Sequence, residues 1–287
     1  MIPVAFAYER PATLDEAVGL LARHAGSAKI LAGGQSLLPL LKLRLAHADR
    51  LVDVGRIPEL RGIRRSADGR LVVGALATYR ELLDSSAAMA YGVLRDAVPR
   101  IADVQVRNRG TVGGAIAHAD PASDLPAVLL ALEADVVVRS ARGVRTIPIT
   151  TFFEGAFQSV LGPDELITEV ILPGPRDGAG SAYRTLEQPA SGYSIVGVAA
   201  VVVVAGGTLS EARVGITGVG EVPYRATAVE RELAGRAIGG LDLDAASKKA
   251  TDGQVVNSDI HADREYRTRM AAVFTRRALE AAIARVS

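Results

Sequence analysis

The stretch KILAGGQSLLPLLKLRL, Lys29 to Leu45, sets two adjacent glycines between a short apolar run and a leucine-rich segment with a serine at its start. Glycine tolerates positive φ and has no Cβ to hold a ligand away from main-chain N–H groups. A helix opening directly after such a turn adds unpaired N–H groups and the positive end of its dipole. That combination makes an anion cradle, with phosphate as its natural guest. A counterpart follows at Arg107 to Leu132, RNRGTVGGAIAHADPASDLPAVLLAL. Both stretches also contain Ser-x-Leu-Pro, at Ser36–Pro39 and Ser123–Pro126, where serine is expected to cap a helix and proline to fit its first turn.

Alone, a glycine pair before a helix reads as a tight connection. Two of them could grip a pyrophosphate from two sides, which is what a dinucleotide offers. The chain holds neither G-x-G-x-x-G nor G-x-x-x-x-G-K-[ST], so a Rossmann or P-loop site is disfavoured.

With 287 residues, 49% of them hydrophobic, the chain can bury more than one core. Lys plus Arg number 33 against 32 Asp plus Glu, and no basic run is interleaved with aromatics, so nucleic acid is not an expected partner. There is no cysteine. Disulfides, thiolate zinc sites and ligation of iron–sulfur clusters by this chain are therefore excluded. The N-terminal MIPVAFAYERP lacks the charged start and apolar core of a secretory signal. The most apolar run, IVGVAAVVVVAGG from Ile195, falls well short of the ~20 residues of a membrane span, and its valines suit a buried strand. A cytoplasmic protein without a membrane span is expected.

Along the chain, TLDEAVGLLARH from Thr13 reads as an amphipathic helix with a cap-like Thr and Glu16 three residues on. Strand KIL, the glycine turn, RLVDVG, a hairpin-like SADGRLVVGALAT and a helical stretch from Tyr79 follow, an α/β or α+β pattern. The turn-formers LPGPRDGAGSAY from Leu172 mark a domain boundary. Beyond it come strands near Ser194 to Val204 and Ala212 to Thr217, then helices. The last helix, roughly Arg264 to Val286, carries Tyr266, Met270, Val273 and Phe274 at packing intervals and reads as a docking helix.

Together, AGGQSLLPLLKLRLA, GTVGGAIAHADPASDLPA and EQPASGYSIVGVAA resemble the FAD-binding medium subunit of molybdenum hydroxylases, the carbon monoxide dehydrogenase and xanthine dehydrogenase family. GALATYREL and VGITGVGEVPYRATAVE sit where that family has similar segments, so the resemblance runs end to end. It implies an α+β fold: a two-lobed FAD-binding domain of the vanillyl-alcohol-oxidase type over 1–176, with lobes at about 1–56 and 57–176, then a smaller C-terminal α+β domain over 177–287. It implies FAD on this chain, [2Fe–2S] clusters on a small partner subunit and a molybdopterin cofactor on a large one, the whole a dimer of heterotrimers. The role implied is electron transfer from those clusters to an external acceptor, with no catalytic residue and no metal on this chain.

Carried over by position, Ala32, Gly33, Gly34, Gln35 and Ser36, with Thr111, Val112, Gly113, Gly114 and Ala115, would wrap the FAD pyrophosphate. Ile101 and Leu166 would contact the flavin or adenine, and Asp124 would bond the ribityl or ring-proximal region. Tyr193 would lie against the isoalloxazine, while Ala75 would approach the cofactor with its backbone. The family often carries a lysine near the flavin just after the interdomain turn, where YRTLEQ offers Arg184 and Thr185. Gln35 stands where some relatives have histidine.

His24, His47, His118 and His261 show no metal-ligand spacing. Asp120 and Asp124 could be an acid–base pair, but their place at a helix start favours capping and ligand hydrogen bonds. Two other readings stay open: a self-sufficient FAD oxidase or dehydrogenase with its own substrate pocket, and a non-enzymatic binder of a phosphate ligand.

Overall fold

The computed structural model describes residues 2–286. The first lobe is a parallel sheet of β1 (Ala7–Glu9), β2 (Ala28–Leu31) and β3 (Arg50–Asp53), in the order β1-β3-β2. Parallel neighbours need crossovers. Helix α1 (Leu14–Arg23) supplies the first, started by the Thr13 side chain accepting from the Glu16 amide while the Glu16 carboxylate accepts from the Ala12 amide. It buries Leu14, Ala17, Val18 and Leu21, one helical face. The glycine turn and α2 (Leu37–Leu43) form the second.

The second lobe is an antiparallel sheet. It comprises β4 (Ile63–Arg65), β5 (Leu71–Gly74), β6 (Asp135–Ser140), β7 (Gly143–Pro148) and, after a small hairpin of β8 (Phe153–Gly155) and β9 (Gln158–Ser159), β10 (Leu166–Leu172). Its order is β4-β5-β10-β6-β7, so β10 returns to the centre between two hairpins. Between β5 and β6 run α3 (Tyr79–Asp84), α4 (Ser86–Met89), α5 (Gly92–Ala97), α6 (Val104–Arg107), α7 (Val112–His118) and α8 (Asp124–Leu132). The run from Thr78 begins with a reciprocal capping box between Thr78 and Glu81.

The remaining sheet is antiparallel: β11 (Ala179–Glu187), β12 (Ser194–Ala205), β13 (Thr208–Thr217) and β14 (Tyr224–Arg225), with β15 (Arg236–Ala237) beside β13. Helices α9 (Thr227–Leu233), α10 (Leu243–Ser247) and α11 (Arg264–Ile283) complete it. Helix α8 is buried along its whole length because it lies between the second lobe and this last sheet. Gly215 permits that contact, since a Cβ there would fall on the Ala127 carbonyl of α8. The valine run of β12 follows the same logic. Ala199 and Val201 join the core of the second lobe, while Val196, Val198 and Val202 join that of the last sheet, so both faces are apolar.

Helix α11 docks on β11 and β12, ending at Ile283, a turn short of the expected Val286. Its buried face holds Arg267, Ala271, Phe274, Ala278 and Ala282; Met270 and Val273 pack at its margin. Tyr266, expected to pack, is 43% exposed, because it precedes that helical row by one position and points away from it. Among the described residues, no helix is long and apolar enough to cross a membrane.

Candidate cofactor site

The chain leaves β2 into Ala32–Ser36, where Gly34 has φ +75°, a value L side chains rarely adopt. The Leu38 amide donates to the Gly34 carbonyl at 3.1 Å, and the Gln35 side-chain amide to the Gly33 carbonyl at 3.2 Å. The amides of Gly33, Gly34, Gln35 and Ser36 donate to no protein acceptor among the described residues. Successive free amides about a left-handed turn form an anion-binding concavity. Ser36 occupies the N-cap position of α2, but its backbone is already helical (φ −106°, ψ −48°) and its hydroxyl caps nothing. The expected serine cap is absent because capping needs extended backbone at that residue. Ser123 has extended backbone (φ −73°, ψ 133°) yet also precedes α8 without a side-chain cap.

The second stretch is built differently. Gly113 and Gly114 are not in a turn; they form the first turn of α7, and neither has positive φ. The Val112 amide donates to the Ala77 carbonyl at 2.9 Å and the Gly113 amide to the Ala75 carbonyl at 2.8 Å. Buried Thr111 takes the Gly114 amide on Oγ1 at 3.1 Å, and its carbonyl takes the Ala115 amide. A second free-amide cradle, as the glycine pair suggested, is therefore not formed here. The glycines instead allow close packing: a Cβ on Gly113 would stand 2.6 Å from the Ala75 Cβ and 2.9 Å from its carbonyl oxygen.

The two stretches nevertheless meet. A Cβ on Gly33 would collide with the Arg109 carbonyl and stand 3.1 Å from the Gly110 Cα. Gly110 in turn lies on the ring of Tyr79, where a Cβ would be 2.9 Å from Cε2. Ala32–Ser36, Thr111–Ala115 and Ala75 are thus gathered at one place between the lobes. Tyr79 is buried, and its hydroxyl pKa is pushed up by burial and by the nearby Asp124 and Tyr193, which ties those two residues to the same region. Leu166 is buried in β10, in the core that joins α1 to Leu60 and Leu76. Ile101 is partly buried, and its carbonyl accepts from Arg107 Nη1 at 2.8 Å.

Asp124, the first residue of α8, is buried, and its Oδ1 accepts from Ser194 Oγ at 2.6 Å and from the Tyr183 hydroxyl. Burial pushes its pKa up, against the pull of the two hydroxyls. Tyr183 is pushed well above its ordinary value by burial and by the adjacent carboxylate. Tyr193, 50% exposed, is raised by burial and by the nearby Asp120 and Asp124. Asp120 also accepts from the Ala122 amide at 2.9 Å. Arg184 does not face this region: Nη1 binds Asp96 at 3.0 Å and its own neighbour's carbonyl, Tyr183 O, at 2.7 Å. Arg100, paired with Glu187 at 3.2 Å, draws the Asp124 pKa down while Glu187 pushes it up. Sequence reasoning missed Tyr79, Tyr183, Ser194 and Arg100 as members of the site. Among the described residues no cluster of three or more potential metal ligands occurs.

Comparison with known proteins shows the family of the chain. The FAD binding domain in molybdopterin dehydrogenase matches residues 4–175, and the CO dehydrogenase flavoprotein C-terminal domain matches residues 181–282. The carbon monoxide dehydrogenase medium chain of Hydrogenophaga pseudoflava is 39% identical over 286 residues, 99% of each chain. The 6-hydroxypseudooxynicotine dehydrogenase complex subunit alpha of Paenarthrobacter nicotinovorans is 37% identical, covering 99% of this chain and 97% of that one. A solved structure of carbon monoxide dehydrogenase from Hydrogenophaga pseudoflava, lacking the Mo-pyranopterin moiety of its cofactor, superposes with a TM-score of 0.96 at 41% identity over 100% of both chains. The chain therefore belongs to the family of FAD-binding medium subunits of molybdenum-containing dehydrogenases, the carbon monoxide dehydrogenase and xanthine dehydrogenase group.

Proposed function

We propose that this chain is the electron exit of a molybdenum hydroxylase: it takes electrons from [2Fe–2S] clusters on a small partner subunit and passes them to an external acceptor, while substrate is oxidised at a molybdopterin centre on a large subunit. The observation that carries this reading is the run of unbonded amides from Gly33 to Ser36 around the positive φ of Gly34. Converging N–H groups without protein acceptors favour an anionic ligand, and a pyrophosphate has the oxygens to meet several. FAD, when bound, supplies the capacity to collect electrons singly and release them in pairs.

This chain's own residues hold and orient. Ala32–Ser36 would wrap the pyrophosphate, the amides of Gly33 to Ser36 donating to it, with Thr111–Ala115 closing its other side and the Ala75 backbone alongside. Ile101 and Leu166 would border the flavin or adenine, Asp124 the ribityl region, and Tyr193 the isoalloxazine face. Arg184 is held by Asp96 and Arg100 by Glu187, so neither offers this region an unpaired positive charge. In this reading residues 1–176 are the cofactor domain, in lobes 1–56 and 57–176, and 177–287 the C-terminal domain. The assembly is a cytoplasmic dimer of heterotrimers.

The test is division of labour. Loaded with FAD, the chain alone should be bleached by dithionite yet show no flavin reduction by any hydroxylase substrate; adding the two partner subunits should make flavin reduction substrate-dependent. Rapid bleaching of the isolated chain by an organic substrate would instead establish a self-sufficient dehydrogenase.

A further inference from the structure

Five residues, Asp120 to Asp124, form a platform at the domain junction. Thr217 Oγ1 on β13 donates to the Pro121 carbonyl at 2.7 Å and the Ser123 carbonyl at 2.9 Å, and the Gly218 amide donates to Pro121 at 2.8 Å. The last sheet thus holds this piece of the cofactor domain from below. Asp124 returns the grip through Tyr183 on β11 and Ser194 on β12. Thr185 extends the cluster, lying 2.6 Å from Ser194 Oγ and donating to the Val196 carbonyl at 3.2 Å.

The loop between β11 and β12 is closed on itself. The Gln188 amide donates to the Tyr193 carbonyl at 2.8 Å, the Gly192 amide to the Gln188 carbonyl at 2.8 Å, and the Ser191 amide and hydroxyl both to the Gln188 side chain. Such a loop moves as a unit, so its position depends on where its ends are fastened. Both ends lie in the β11–β12 ladder, where Glu187 pairs with Ser194; beyond the ladder, Glu187 is held by Arg100 through an exposed contact. Ser194 is buried and bonded to a carboxylate, the stronger class of hydrogen bond.

The geometry points to Asp124 as a positioning residue: by holding Ser194 across the domain junction, it fixes the backbone next to Tyr193 and so sets where the Tyr193 ring lies over the cofactor crevice. Ser194 reaches back to this platform through Asp124, and Tyr193 lies near enough to Asp120 and Asp124 for both to raise its pKa. This rests on the reading above that Tyr193 lies against the isoalloxazine.

The experiment uses the FAD-loaded complex and the decay of flavin fluorescence, which a stacked tyrosine shortens by electron transfer that falls off steeply with distance. Tyr193→Phe removes the quencher and should lengthen the mean lifetime severalfold. Ser194→Ala, which leaves the Tyr183 bond to Asp124 in place, should lengthen it in the same direction, and Asp124→Asn, which keeps an acceptor of the same shape, should give a smaller shift. In the Tyr193→Phe background, Ser194→Ala should add nothing. A longer lifetime in Tyr193→Phe with a wild-type lifetime in Ser194→Ala overturns the positioning role alone. No change in Tyr193→Phe overturns the placement of Tyr193 and the positioning role with it.

Discussion

Gly34 and Gly113 look alike in the sequence and act differently in the structure. Gly34 is needed for its φ of +75°, and Gly113 for the contact its missing Cβ allows with Ala75. Gly34→Ala would put an L residue in the left-handed region, a strain of about 1–2 kcal/mol, with Cβ 3.0 Å from Leu38 Cδ1. Relieving it turns the free amides away from their common focus. FAD affinity should fall by roughly tenfold or more, the equivalent of one charge-assisted hydrogen bond. Gly113→Ala meets Ala75 instead and should lower stability by about 1–3 kcal/mol through overpacking, with the amide cradle intact. Thermal unfolding and FAD titration of both variants separate the two roles, and wild-type affinity in Gly34→Ala would argue against the cradle.

At the scale of elements, what could be read from the sequence was what is local. The Thr13 cap of α1, the hairpin of β4 and β5, the extent of β12 and the turn at Gly34 follow from neighbouring residues. The rest depends on pairs far apart. Gly113 answers to Ala75, Asp124 to Tyr183 and Ser194, and Arg184 to Asp96, none of which a local pattern announces. Asp96, at the end of α5, also binds Arg285, just beyond α11, through Nη1 at 2.6 Å and Nη2 at 3.1 Å, and accepts from the Tyr183 amide. Burial alone would raise its pKa, but these donors outweigh it and leave it below the ordinary carboxylate value. With the folded pKa below the unfolded one, its stabilisation is fully present above about pH 4 and is lost as pH falls through the folded value. Asp96→Asn should therefore lower Tm at pH 7, and the gap to wild type should close as pH falls below about 4. A pH-independent gap would mean the carboxylate's charge is immaterial at this junction.

Across the whole molecule, relatives named for substrates as different as carbon monoxide and 6-hydroxypseudooxynicotine are 39% and 37% identical to this chain over nearly full length. A subunit that chose the substrate would separate such relatives more sharply, whereas one that holds a common cofactor need not. That points to the bound dinucleotide as what the architecture is built around, with the parallel lobe presenting free amides and the antiparallel lobe closing on them through Arg109 and Gly110. The most direct measurement is a titration of the flavin-depleted complex with FAD and, separately, with riboflavin, which carries the ring and ribityl chain but no pyrophosphate. If the four amides of Gly33 to Ser36 hold the pyrophosphate, losing even three of their hydrogen bonds to an anion, at about 1.5–3 kcal/mol each, should weaken riboflavin by on the order of a thousandfold or more, with FAD saturating at one per chain. Equal affinity for the two flavins would contradict the account.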